Sequence, residues 1–345
     1  MFKPALTVSL AAATLLCATG AAHAGKDLDA IKARGAVICG VTAGGIAGFM
    51  MQDSQGKWVG LDVDVCRAVS AAIFGDSEKV KFVPVTAQQR FTALQSGEVD
   101  MLSNNTTETL TRDTALGFDF GAITYYDGQG FMVNKKLGVK SAKELNGATV
   151  CVQPGTTTEL NLADYFRAQK MKFKPVVIEK NEEVLNAYFT GRCDVYTTDV
   201  SGLVAVRASR APKPAEHVIL PEVISKEPLG PVVRQGDDQW GDIVRWTLYA
   251  LILAEEHGIT AANVEQMRRT STDPEVRRLL GVEGGFGRML GLDDAWAYRA
   301  IKAVGNYGEI FNRNIGPGSP LKLERGLNAL WSAPKPGLMY APPMR

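Results

Sequence analysis

One arginine closes a run of hydroxyl and amide side chains in Asp100-Met101-Leu102-Ser103-Asn104-Asn105-Thr106-Thr107-Glu108-Thr109-Leu110-Thr111-Arg112. A guanidinium in that place can grip a carboxylate through two parallel charge-assisted hydrogen bonds, with Thr107 and backbone amides meeting the remaining lone pairs. The competing reading of Arg112 is a solvated surface arginine, and spacing alone does not separate the two. A second polar cluster, Gln153-Pro154-Gly155-Thr156-Thr157-Thr158-Glu159, leads from a strand into a helix expected over residues 160–169. Free amides at such a helix start attract anions, although Thr156, Thr157 and Thr158 also suit plain capping. Asp199 follows a strand and offers a carboxylate to an ammonium group, the alternative being a turn residue. A cationic grip and an anionic grip together are what an α-amino acid requires. Asp62 and Asp64 lie in the first turn of a helix, at the positive end of its dipole, and are read as structural.

The elements that must position these groups emerge from self-comparison. Ala93-Leu94-Gln95-Ser96-Gly97-Glu98-Val99-Asp100-Met101-Leu102 recurs in form as Ala187-Tyr188-Phe189-Thr190-Gly191-Arg192-Cys193-Asp194-Val195-Tyr196, each a helix ending at glycine and then a strand. Gly35-Ala36-Val37-Ile38-Cys39-Gly40-Val41 pairs in the same order with Gly147-Ala148-Thr149-Val150-Cys151-Val152-Gln153. Two related α/β units follow, and strand ends are where open α/β sheets bind ligands. The repeat sets Asp199 at the place of Asn105, so one unit ends in an acid and the other in an amide. Residues 125–135 and 223–233 read as two crossings between the units, which make a hinge. Residues 240–257, 294–307 and 321–331 carry helical spacing and are expected to be packing helices.

Lys3, an apolar run over residues 5–16 and Ala22-His23-Ala24 form a secretory signal, cleaved near Ala24. Cys17 raises lipid anchoring as an alternative, against which stands the bulk of Leu16. No later run reaches about 18 apolar residues, so a soluble periplasmic protein is expected. About 320 mature residues exceed one compact core and suit two lobes. With 38 Lys and Arg against 37 Asp and Glu, the chain has no field for nucleic acid or an anionic membrane. Cys39, Cys66, Cys151 and Cys193 remain after cleavage, an even number that reads as two disulfides in an exported chain. Cys39 and Cys151 are equivalent in the repeat, Cys193 matches Val99 and Cys66 lies in the first helix. The expected pairs are therefore Cys39 with Cys66 and Cys151 with Cys193. Histidine is scarce and no pair has close ligand spacing, so neither metal nor cofactor is expected.

An exported enzyme of the dehydratase type on the same scaffold is the competing class, and it needs a positioned acid or base. His217 and His257 fall away from the loops described above, and Gly284-Gly285-Phe286-Gly287 lacks a dinucleotide fingerprint. Glu108 and Glu159 are the acids left to that reading, and no enzymatic activity is expected. A sensory binding protein is a third reading that the residues do not separate from transport.

Gly60-Leu61-Asp62-Val63-Asp64-Val65, the stretch from Asp100 to Arg112, Gly155-Thr156-Thr157, and Gly191-Arg192-Cys193-Asp194 on to Asp199 together resemble the polar amino-acid solute-binding family of ATP-binding cassette importers, bacterial solute-binding protein family 3. The resemblance runs over residues 37–234. It is strongest to the longer periplasmic general L-amino-acid-binding members, whose C-terminal extension Gly305-Asn306-Tyr307-Gly308-Glu309 resembles. It implies an α/β, two-lobed periplasmic binding protein fold of type II, each lobe a mixed sheet flanked by helices, joined by a two-strand hinge. The expected division is signal 1–24, first lobe 25–127, second lobe 128–227, and a return to the first lobe with a helical extension over 228–345. The resemblance further implies that Arg112 holds an α-carboxylate, helped by Thr107, Asn105 and the amide of Thr157, while Asp199 holds the α-ammonium. Asn104-Asn105 stand where smaller members often have serine or glycine, and the glycine-rich loop over residues 43–48 replaces an aromatic side chain. Free L-amino acids and the importer's permease subunits are the expected partners of a monomer. With threonine and asparagine around the site and no extra charge, broad specificity is expected.

Overall fold

The computed structural model describes residues 25–345, so the expected signal segment with Cys17 lies outside the described residues. Strands of the first half are β1 (Val37–Thr42), β2 (Met51–Gln52), β3 (Trp58–Val59), β4 (Val80–Val85), β5 (Met101–Leu102), β6 (Phe118–Phe120) and β7 (Tyr125–Asp127). They are followed by β8 (Gln129–Asn134), β9 (Thr149–Val152), β10 (Lys174–Val177), β11 (Val195–Asp199), β12 (His217–Ile219), β13 (Glu227–Leu229) and β14 (Val232–Arg234). The principal helices are α1 (Lys26–Arg34), α2 (Leu61–Phe74), α3 (Arg90–Gln95), α4 (Thr157–Ala168), α5 (Asn181–Phe189), α6 (Val200–Ser209) and α7 (Asp238–Glu256).

Two five-stranded sheets share one plan. The first has the order β4-β1-β5-β14-β6 and the second β10-β9-β11-β8-β12. In each, three strands run parallel and the fourth is antiparallel. The antiparallel strand of the first sheet is supplied by the returning chain, β14, and that of the second by the outgoing chain, β8. Between the sheets β7 pairs antiparallel with β13, Asp127 opposite Glu227, forming a two-stranded crossing ribbon. The outgoing crossing is thus two strands broken at Gly128, where a single strand was expected.

Apolar patterning explains the layers. β1, rich in β-branched residues, buries Val37, Cys39 and Val41 on one face and leaves Ile38 and Thr42 half-buried on the other, and α2 is buried along nearly all of its length between that sheet and α7. The second sheet has separate clusters on its two faces, one around Phe131, Leu162 and Phe166, the other around Val184, Tyr188 and Leu203. Bridges Cys39–Cys66 and Cys151–Cys193 tie the first strand of each sheet to a neighbouring element. His217 bonds Tyr188 at 2.8 Å and His257 lies 3.6 Å from Glu275, so both histidines are engaged in structure.

The C-terminal part differs from expectation in two places. Residues 294–307 form not one helix but α11 (Trp296–Val304), following α8 (Val264–Thr270), α9 (Pro274–Leu279) and α10 (Phe286–Met289), and then α12 (Tyr307–Asn314). Gly305, at φ 78, ends α11, and Asn306 with Glu309 forms a reciprocal capping box that starts α12. Residues 321–331 contain only the 3-10 turn Gly326–Asn328. Lys322 and Gly326 have left-handed backbone there, which no α-helix accommodates. Leu321, Leu323 and Leu330 instead lie singly against the first-sheet core from an irregular tail.

Candidate ligand-binding site

The polar run after β5 is sewn to the crossing ribbon. Gly230 donates its N–H to the Thr106 carbonyl at 3.0 Å, Glu108 to that of Pro228 at 2.9 Å, and Thr107 bridges Leu229. Beneath it lies Asp62, which accepts from Ser103 Oγ at 2.7 Å and from the backbone N–H of Asn105. The acid read as a dipole partner of α2 is therefore also the prop of this loop. Burial, against those two hydrogen bonds, pushes the Asp62 carboxyl up to about 7. A carboxyl raised on folding contributes stability that is complete below its unfolded value and is lost as the pH rises through about 7. Asp62→Asn is accordingly expected to melt several degrees above the parent at pH 8, with the advantage shrinking toward pH 5. Thermal melts of both proteins across that range check this, and equal pH slopes would refute it.

Arg112 sits in the turn Thr111–Ala115, 7% exposed, and donates from Nη1 to the Thr107 carbonyl at 2.7 Å. Its guanidinium lies 5.0 Å from the Phe91 ring centre. Arg90, on the buried face of α3, lies 4.8 Å from the same ring, and its Nε is shielded and unpartnered among the described residues. Burial lowers Arg90 to about 9, helped by the charge of Arg112 and opposed by Asp199 and Glu227. Burial lowers Arg112 to about 10, opposed by Glu227 and Asp199. Two guanidiniums and two carboxylates thus share one solvent-poor space.

Asn105 adopts φ 53, a conformation asparagine tolerates better than most residues, and neither polar atom of its shielded amide has a partner among the described residues. Asn104 turns away and accepts from Thr106 Oγ1 at 2.6 Å. Across the seam, α4 begins at Thr157, earlier than expected, because the Thr156 hydroxyl accepts from Glu159 N at 3.1 Å as its N-cap. Thr156 also donates to the Gln153 carbonyl at 2.8 Å, which engages its side chain in the turn. The N–H groups of Thr157 and Thr158, in the first turn, have no acceptor within the helix. Thr157 Oγ1 lies 3.4 Å from Thr107 Oγ1, and both donate to Glu227 Oε2, at 2.8 and 2.5 Å.

Asp199 ends β11 at the head of α6 without capping it, and is 9% exposed. Burial, then the neighbouring Asp127 and Glu227, raise it well above the usual carboxylate range, while Arg90 and Arg112 pull the other way. Asp127 is raised as well, by burial, despite hydrogen bonds from Ser201 and the Gly128 N–H. Elsewhere along the seam, Asn181 donates to the Gly45 carbonyl at 3.1 Å, Arg210 to that of Gly44 at 3.0 Å, and Thr86 to Glu179 at 2.8 Å. The glycine-rich loop thus offers backbone carbonyls to the other lobe.

The structure brings Arg112, Thr107 and Thr157 to one seam, within electrostatic reach of Asp199, and turns the side chains of Asn104 and Thr156 to local bonds. The expectation of no extra charge is corrected by Arg90, Glu227 and Asp127. Arg90 had a signal: with Ala93 and Leu94 it occupies the i, i+3, i+4 face that should be apolar. Asp127 and Glu227 stand in otherwise apolar crossing strands, a weaker hint. Glu108 is exposed, with its carboxyl raised by desolvation and by Asp113 and Asp119, and Glu159 accepts from the Gly155 N–H at 3.0 Å. Among the described residues no cluster of His, Cys, Asp and Glu could hold a metal, and no helix is long and apolar enough to cross a membrane.

Residues 38–258 match the family described as bacterial extracellular solute-binding proteins, family 3. The chain is 60% identical over 342 residues to the general L-amino acid-binding periplasmic protein AapJ of Rhizobium johnstonii, covering 99% of this chain and 98% of that one. It is 57% identical to the glutamate/glutamine/aspartate/asparagine-binding protein BztA of Rhodobacter capsulatus over the whole of both chains. Among solved structures, an ABC transporter periplasmic binding protein from Brucella ovis with glutathione bound has a TM-score of 0.89 at 59% identity, covering 92% of this chain and 99% of that one.

Proposed function

The chain belongs to the bacterial extracellular solute-binding proteins, family 3, and on that premise we propose that it is the periplasmic substrate-binding component of an ATP-binding cassette importer for free L-amino acids. The observation that carries this reading is the meeting of two shielded guanidiniums with two shielded carboxylates at the seam between lobes. Arg112, with the Thr157 N–H and Asn105, takes the α-carboxylate, and Asp199 takes the α-ammonium. Residues 25–127 with 228–345 form one closing body and 128–227 the other. Hinge closure over the ligand selects the form that permease subunits engage. The chain binds without catalysis on this reading, in line with the binding-protein names of the relatives.

Arg90 refines the specificity. A ligand whose side chain carries a carboxylate or amide oxygen meets a second set of guanidinium donors, so such ligands bind best within a broad range. The test is calorimetry and thermal shift of the mature chain against the standard L-amino acids. Glutathione belongs in the panel because its glutamyl end presents the same α-amino-acid head. Binding of many L-amino acids is expected, led by glutamate, glutamine, aspartate and asparagine, with Arg90→Ala flattening that order. A ligand at about 100 times its Kd adds about 2.7 kcal/mol of stability, well within reach of the measurement. A panel without any stabilising amino acid refutes the function, and one amino acid preferred by several orders of magnitude refutes the breadth.

A further inference from the structure

We propose that Glu227 is a positioning residue that fixes the ammonium end of the site and couples it to lobe closure, an inference that rests on the amino-acid-binding reading above. Glu227 opens β13 in the crossing ribbon and is 1% exposed. Its Oε2 accepts from Thr107 Oγ1 of the first lobe at 2.5 Å and from Thr157 Oγ1 of the second at 2.8 Å. Its Oε1 accepts from Asn161 Nδ2 of α4 at 2.8 Å and from Ser225 Oγ at 2.6 Å. Four donors from both lobes and the ribbon saturate one carboxylate, which makes it a built feature of the closed arrangement.

The proton inventory gives the consequence. A hydroxyl has one proton and two lone pairs, so Thr107 and Thr157, with their protons directed to Glu227, present only lone pairs to a neighbour. Lone pairs suit an ammonium and not a carboxylate, and Glu227, which takes both protons, is a charge neighbour of Asp199. Thr107 then serves the carboxylate end through its backbone, where its carbonyl orients Arg112. When the lobes part, Thr157 and Asn161 leave with α4, and the acceptor set for the ammonium comes apart. Glu227 therefore acts on retention of ligand more than on first encounter.

The test is Glu227→Gln in the full mature chain, compared with the parent by stopped-flow binding and by small-angle scattering with saturating ligand. A glutamine offers one acceptor oxygen in place of two, and with its NH2 toward Thr107 and Thr157 it donates to their hydroxyls and frees the protons that Glu227 had held away from the ligand. The expected result is dissociation faster by about tenfold or more with association nearly unchanged, and a liganded form less compact than the parent. Thr157→Val alone is expected to give a smaller loss, and the double variant no more than Glu227→Gln by itself, because the two share one interaction. Parental dissociation in Glu227→Gln, or additive losses, overturns the inference while leaving amino-acid binding in place. Tighter binding overturns it too, since Glu227 would then compete with the ligand carboxylate. Should Glu227→Gln not fold, Thr157→Val with Asn161→Ala removes only the second-lobe donors, and unchanged dissociation there is equally decisive. A parent that binds no amino acid overturns both readings together.

Discussion

Arg112→Ala is expected to weaken amino-acid binding by about 100-fold or more, and Arg112→Lys to recover little of it. The argument rests on where the guanidinium sits. It is 7% exposed, oriented by one hydrogen bond to the Thr107 carbonyl and by the Phe91 ring, and its remaining donors are directed by that fork geometry. A ligand carboxylate entering this space meets donors that water no longer screens. Truncation removes them and leaves the bound carboxylate shielded, with only the Thr157 N–H and Asn105 to meet it. Lysine restores the charge but not the two parallel bonds. The affinity loss should be nearly the same for every amino acid in the panel, because the α-carboxylate is common to all. Calorimetric affinity within a few-fold of the parent would remove Arg112 from the site.

Asp199→Asn is expected to cost about 30-fold or more in affinity and to abolish a pH dependence that the parent shows. In the unliganded protein burial, then Asp127 and Glu227, hold the Asp199 carboxyl well above its usual range. A ligand ammonium stabilises the ionised form and draws it down. Between the bound and the free value, binding must therefore release a proton, so affinity falls as the pH drops below the free-state value and levels off above it. The stability of the empty protein has the opposite sign: a raised carboxyl contributes stability at low pH that is lost as the pH rises through its folded value. Calorimetry in buffers of different ionisation enthalpy measures the released proton directly. A parent with pH-independent affinity, or an Asp199→Asn variant that keeps the dependence, would contradict the ammonium role.

Between these two charged ends the side-chain region is where Arg90 acts, and its place shows how far sequence reading extends. Asp199 was legible because it ends a strand in a repeated unit, and Arg112 because it closes the polar run that follows the equivalent strand of the other unit; strand ends are where α/β sheets expose ligand sites. Arg90 lies inside a helix, where an arginine reads as a solvated face unless its neighbours Ala93 and Leu94 are seen to be buried with it. The hydroxyls of Thr107 and Thr157 were legible as residues, but the carboxylate that takes their protons was not. Glu227 belongs to a different crossing and is 120 positions from Thr107. The helix expected over 321–331 failed for a related reason. Its apolar residues are spaced for a helix, yet left-handed Lys322 and Gly326 and singly packed leucines make it a tail.

Local chemistry written along the chain determined the repeated α/β units, the exported character expected of residues 1–24, the cysteine pairing and two groups of opposite charge, Asp199 at a strand end and Arg112 in the polar run after the equivalent strand. Each of these depends on composition, periodicity or spacing over a few residues, which survive without knowledge of the third dimension. The tertiary structure alone decided that Arg90, Asp127 and Glu227 join Arg112 and Asp199, and that Thr156 caps a helix while Thr157 faces Thr107 across the seam. Charge interactions act through space, and their strength follows from burial. Both are set by how two sheets and a two-stranded ribbon pack, which no short window of sequence contains.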